Sequence, residues 1–156
     1  MQLVEPAAAR RAVALSLGFD GAVSPAAEPP RADADVVIEA SGRPECLDAA
    51  LLRARDEGVV VVASFYGQRV APVSLGSDFH RRRLTLRSSQ VSRLPPGRAP
   101  GWSYARRFGL VTDLLADPRL DALLEPALPF DEAPAVYARL ARDPGDGLQT
   151  VFRYRS

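Results

Sequence analysis

The chain has 156 residues, 47% of them hydrophobic, enough for one globular domain with its own core and too few for several. Twenty basic residues against nineteen acidic ones leave a formal net charge of +1, which excludes a global electrostatic pull toward nucleic acid or a membrane surface. One cysteine, Cys46, excludes an intramolecular disulfide, and the longest uninterrupted apolar run, 59–63, falls far short of a spanning helix of roughly 20 residues, so a cytoplasmic location is the expectation.

Gln2, Leu3 and Val4 make a minimal strand that ends at Glu5. Pro6 then opens a helix rich in alanine and arginine that runs to Gly18, whose missing side chain suits a helix C-terminus. An acidic residue ending a strand just before a helix occupies the position that hydrogen-bonds an adenosine ribose in dinucleotide-binding sheets. The plainer reading of Glu5 is a helix N-terminal carboxylate favoured by the macrodipole. A short third strand is expected over 19–24 and a loop over 25–30.

The central unit follows. Asp35, Val36, Val37, Ile38 and Glu39 form a run too short for a helix, read as a strand buried on both faces, and Ala40, Ser41 and Gly42 end it in a turn. Pro44 suits a helix's first turn; Cys46, Leu47, Ala50, Leu51 and Ala54 recur at helical spacing until Gly58. A second apolar run, 59–63, ends in Ser64, Phe65, Tyr66 and Gly67. Strand, helix and strand within about 30 residues is a βαβ unit with parallel strands. Ligands of such sheets bind at the loops after the strands, here 41–43 and 64–67.

His80, Arg81, Arg82 and Arg83 form a cationic run that reads as a phosphate or nucleic-acid patch or, favoured here, as a solvated loop leading into the strand of Leu84, Thr85 and Leu86. Three prolines and two glycines make 91–101 a loop. Helical spacing returns over 102–116 and stops at Asp117 and Pro118. An extended segment is expected over 120–130, then a helix over 132–142 with Asp131 as its N-cap, a turn at 144–147 and a last strand over 148–154.

The order of these pieces resembles the medium-chain, zinc-type alcohol dehydrogenase family, in the later part of its nucleotide-binding domain and its C-terminal tail. The resemblance is carried by Val4 and Glu5 ahead of Arg10, Arg11 and Gly18, by 35–43, 58–67 and 83–89, by 120–123 leading to Leu128, Pro129 and Phe130, and by 148–152. It implies an α/β fold with a partial Rossmann-like, mostly parallel sheet and flanking helices, spread over 1–156 as one partial domain with a tail at 117–156. It implies that Glu5 holds the adenosine ribose, favouring NAD within the NAD(P) pair, with Arg10 beside it. Ser41, Gly42 and Arg43 match the loop on the adenine side. Ser64, Phe65 and Tyr66 match the loop beside the nicotinamide, and Arg87 and Ser88 the loop after the sixth strand. Gln149 stands where many members carry a basic residue facing the pyrophosphate.

The departures from that family set the functional expectation. No G-x-G-x-x-G occurs, so the turn and helix N-terminus that hold a pyrophosphate are missing, together with the first strand and the zinc-bearing barrel. One histidine and one cysteine cannot supply the three protein ligands of a catalytic zinc, so no metal site and no catalytic residue are assigned; His80 reads as a loop residue and Cys46 as a small apolar one. In strand order 3-2-1-4-5-6 the missing strand leaves two inner edges open, at 2–4 and 35–38. Either those strands pair directly, or a partner supplies a strand, or the isolated chain folds poorly. The expectation is a chain derived from alcohol and aldehyde hydride-transfer chemistry with NAD(P) but not a competent enzyme alone. Its expected partner is a separately encoded N-terminal dehydrogenase half or a second copy, with neither nucleic acid nor membrane involved.

Overall fold

The computed structural model describes residues 1–26, 32–94, 97, 101–143 and 147–154. Most of the loop expected over 25–30, the middle of that over 91–101 and residues 144–146 of the expected turn lie outside the described residues. The fold is α/β, built from small parallel sheets with flanking helices, and it divides into two compact units, Met1–Glu28 with Ser103–Ser156, and Pro29–Trp102.

In the first unit, β1 (Gln2–Val4) and β2 (Gly21–Val23) pair in parallel, Leu3 opposite Ala22, across α1 (Ala8–Ser16). Gly18 ends the helix turn as expected, at φ +92°, a conformation only glycine adopts without strain. Helix α3 (Tyr104–Leu115) starts at Ser103, whose hydroxyl accepts the Arg106 amide at 3.1 Å, a cap that helical spacing alone does not reveal. Residues 120–123, expected to be extended, belong instead to a 3₁₀ turn, Pro118–Leu123. Pro118 supplies the helical φ, and the Asp117 carboxylate accepts the Arg119 amide at 3.0 Å.

The tail closes with β6 (Leu128–Pro129), α4 (Ala133–Arg142) and β7 (Phe152–Arg153), β6 and β7 pairing in parallel. Asp131 is not the N-cap of α4. It lies inside a 3₁₀ turn, Phe130–Glu132, which carries the chain into the helix so that Glu132 takes the cap position without a side-chain bond. The expected last strand is shorter than 148–154, because Gln149 makes only an isolated bridge to Leu124.

Glu125 anchors the start of this strand, accepting the Leu148 amide and the Thr150 hydroxyl, each at 2.9 Å. Gly147 precedes it at φ +86°, and a side chain there would collide with the Glu125 carboxylate. Gly147→Ala is therefore expected to cost about 2–3 kcal/mol, from the left-handed backbone plus displaced hydrogen bonds. Urea denaturation of the two forms checks this, and an unchanged midpoint would show that the tail does not contribute to the measured stability.

The second unit holds the three-stranded parallel sheet β3–β4–β5, made of Ala34–Glu39, Ala54–Val62 and Thr85–Ser88, with α2 (Cys46–Arg53) crossing from β3 to β4. Pro44 is fully buried just ahead of α2, in a turn closed by the Cys46 amide on the Arg43 carbonyl at 3.0 Å. Leu47, Ala50 and Leu51 of α2 pack with Ala54, Val60 and Leu84 as the core, and Val37 and Val62 join it from the same sheet face. The opposite face differs from expectation: Val36 is 55% and Ile38 67% exposed, so β3 is buried on one face.

Among the described residues β3 pairs with β4 alone. Within the cationic run, Arg81 is exposed, but Arg82 donates to the Ala54 carbonyl at 3.2 Å and pairs with Asp78 at 3.2 Å, while Arg83 pairs with Glu57. Half of this run thus ties the entry of β5 to β4. No helix among the described residues is long and apolar enough to cross a membrane.

Candidate site at the carboxyl ends of β3 and β4

Parallel strands release their chain at one end of a sheet, so the loops after β3 and β4 emerge side by side. The two are hydrogen-bonded to each other. Gly42, at φ +70°, donates its amide to the Ser64 hydroxyl at 2.8 Å. Arg69, not anticipated from the sequence, donates to the Gly42 carbonyl at 2.6 Å and to the Tyr66 carbonyl at 3.4 Å. No atom lies within 4 Å of where a side chain on Gly42 would begin, so the space above this turn is open.

Glu39 lies beneath both loops. It is the last residue of β3, points to the core face and is only 4% exposed. One carboxylate oxygen accepts the Ser41 amide at 2.8 Å and the Ser41 hydroxyl at 2.5 Å; the other accepts the Tyr66 hydroxyl. Its backbone carbonyl accepts the Ala63 amide at 2.8 Å and the Ser64 amide at 3.2 Å. Burial pushes the Glu39 carboxyl up, but hydrogen bonds from Ser41, Tyr66 and Ser64 outweigh it and hold the group below its ordinary value. Burial and the adjacent Glu39 carboxylate both push the Tyr66 phenol up, so it stays protonated and donates. A buried ionised carboxylate is thus matched by neutral donors. The sequence signal was an acidic residue closing an apolar strand, a place where an unpaired charge would not be tolerated.

The other expected residues fall in several places. Phe65 is 90% exposed and Arg43 is exposed. Arg87 and Ser88 end β5, in register with Val61 and Val62, and are exposed at the same end of the sheet. In the first unit, one Glu5 carboxylate oxygen accepts the Ala7 amide at 2.8 Å, the helix N-terminal contact of the plainer reading. Arg10 donates to the Gly147 carbonyl at 3.0 and 2.7 Å, tying α1 to the tail. A concavity of about 570 Å³ between β6 and α4, lined by Glu125, Leu128, Val136 and Arg139 among others, contains none of the expected residues.

A catalytic zinc does not fit this donor set. Cys46 opens α2 and His80 lies exposed after a kinked helical turn, and no group of three or more His, Cys, Asp or Glu among the described residues could hold a metal.

The fold is similar to that of part of several solved dehydrogenase and oxidoreductase structures. A short chain alcohol dehydrogenase from E. coli CFT073, complexed with NADH, matches with a TM-score of 0.70 at 16% identity, over 96% of this chain and 43% of its own. The yhdH oxidoreductase of Salmonella enterica, in complex with NADP, gives 0.72 at 16% identity, over 99% and 46%. An alcohol dehydrogenase zinc-binding domain protein from Burkholderia ambifaria gives 0.70 at 17% identity, over 99% and 42%. The chain therefore spans less than half the length of these structures. No family model matches the chain. No curated protein matches it either.

Proposed function

We propose that this chain is the later nucleotide-binding portion of a zinc-type, NAD(P)-dependent alcohol dehydrogenase and works only with the rest of that enzyme supplied by a partner. The observation that carries the reading is the hydrogen-bonded pair of loops at the ends of β3 and β4, set in a fold shared with NADH- and NADP-complexed dehydrogenases. When bound, the nicotinamide cofactor would supply the hydride acceptor for an alcohol. This chain's own contribution is to bind and orient it: Ser41, Gly42 and Arg43 on the adenine side, Ser64, Phe65 and Tyr66 near the nicotinamide, with Arg87 and Ser88 bordering them. In the first unit, taken by itself, Glu5 with Arg10 beside it is the candidate for an adenosine ribose, and Glu5 favours NAD because an acidic residue hydrogen-bonds a 2′-hydroxyl and repels a 2′-phosphate. The cytoplasm suits a chain with this cofactor and one free cysteine.

The partner proposed is the N-terminal half of such a dehydrogenase. The edge of β3 that has no strand beside it among the described residues, and the exposed Val36 and Ile38, favour a partner that adds a strand and covers an apolar face. The test is calorimetric titration of the purified chain with NAD and NADP, after a circular dichroism melt, alongside an alcohol turnover assay with added zinc. The expected result is a cooperative melt, binding of NAD tighter than NADP, and no turnover. Absence of binding to either nucleotide by the folded chain would overturn the cofactor reading, and zinc-dependent reduction of NAD by the chain alone would overturn its dependence on a partner.

A further inference from the structure

Two loops that must present one surface to a ligand need a common reference point, and in this unit both refer to the same buried side chain. Ser41 reaches Glu39 through its amide and hydroxyl, and Tyr66 reaches it through its phenol from 27 residues away in sequence. The Gly42 amide on the Ser64 hydroxyl then closes a ring of contacts running from Glu39 through one loop into the other and back. Every polar contact of the Glu39 side chain goes inward to these loops, and its 4% exposure leaves no surface for a ligand to touch.

We propose that Glu39 is a positioning residue: its carboxylate clasps the 41–43 and 64–66 loops together, so that nucleotide binding depends on a group that never contacts the nucleotide. The inference rests on the dinucleotide reading for its ligand, whereas the clasp itself is a property of the unit. A glutamine at this position keeps the shape and one acceptor oxygen for the Ser41 amide, which can only donate, but turns the other corner into a neutral amide donor, so the Tyr66 phenol has to reverse and accept, and the charge-assisted bond to the carboxylate is lost. The link to one loop is then weakened while the core beneath is unchanged. Tyr66→Phe removes the same contact from the other side without altering the buried carboxylate.

The test combines amide hydrogen exchange with NAD titration on the full chain, comparing wild type, Glu39→Gln, Tyr66→Phe and the double variant. The expected result is at least tenfold faster exchange of the Ser41 and Gly42 amides in Glu39→Gln, with Val60 in the core unchanged. Tyr66→Phe should speed the same amides, and the double variant should be no faster than Glu39→Gln, because both changes break one clasp. NAD affinity should fall at least tenfold in Glu39→Gln. If the loop amides exchange at wild-type rates relative to Val60 in both single variants, or if the two effects simply add, the clasp is refuted. If wild type binds NAD and Glu39→Gln binds it equally well, the positioning role is refuted even with faster exchange. Should wild type fail to bind NAD, the cofactor reading falls while the exchange arm still decides the clasp. Should Glu39→Gln not fold, Tyr66→Phe decides the clasp by loop exchange, and Glu39→Asp, which withdraws the carboxylate by one methylene at a residue that does not touch the nucleotide, decides the positioning role by NAD affinity.

Discussion

Gly58→Ala is expected to destabilise the Pro29–Trp102 unit by about 3 kcal/mol, the upper part of the range for forcing atoms into a packed interior. A methyl group at this buried position would lie 2.8 Å from the Arg55 carbonyl oxygen, 3.1 Å from the Ala54 side chain and 3.2 Å from the Ala34 carbonyl oxygen. Two of those three atoms are backbone, so no side-chain rotation relieves the overlap. The crowding arises because β4 makes an excursion: while β3 advances from Ala34 to Val36, β4 advances from Ala54 to Val59. The extra residues fold back on themselves, with Glu57 at φ +60° and its amide held by the Arg82 carbonyl at 2.7 Å. Gly76→Ala provides the control, since nothing lies within 4 Å of its added methyl, and it should shift stability by no more than about 0.5 kcal/mol. Denaturant unfolding of both variants checks the difference. Equal midpoints for Gly58→Ala and Gly76→Ala would mean that the excursion relaxes freely and that the register shift is not a fixed feature of the sheet.

The same glycine shows what local sequence can and cannot carry. Its place between a helical stretch and a valine run marked the existence of β4 but not the end of α2, which stops at Arg53, so that Ala54, expected in the helix, is the first residue of the strand. It did not reveal that β4 begins at Ala54, since that depends on Ala34 and Arg82 standing alongside. The site divides in the same way. Serine and glycine after each apolar run announced turns at 41–43 and 64–67, and the structure brings these turns together. Glu39 and Arg69 carry much of the joining, and local sequence does not reveal the contacts by which they do so, because the cross-loop partners, Tyr66 and Gly42, each lie 27 residues away. Asp131 illustrates the opposite failure: its residue type suits a cap, but the 3₁₀ turn around it moved the helix start beyond its reach. Val36 and Ile38 were read as buried because apolar runs usually are. Their exposure is information of a different kind, since it identifies a face whose covering is not found among the described residues of this unit.

That face gives the second large effect. Changing Val36 and Ile38 together to aspartate is expected to leave the unit folded and to weaken its complex with a co-expressed N-terminal dehydrogenase half by about 100-fold or more. The side chains are 55% and 67% exposed and belong to an edge strand, so charges there are solvated in the free chain and cost little. In a complex each would be buried. Covering a valine and an isoleucine contributes about 1.5–3 kcal/mol apiece when complete, so losing the half or more that remains available amounts to about 3 kcal/mol, near 100-fold in Kd. Burial of two carboxylates without partners adds to the penalty. Co-purification of the tagged wild-type chain with the other half, its loss in the double variant, and matching circular dichroism melts of the two free chains would establish this face as the interface. Undiminished co-purification of the double variant would place the interface elsewhere. If the wild-type chain instead sediments as a dimer by itself and the double variant as a monomer, the face is covered by a second copy and the split-enzyme reading gives way to self-association.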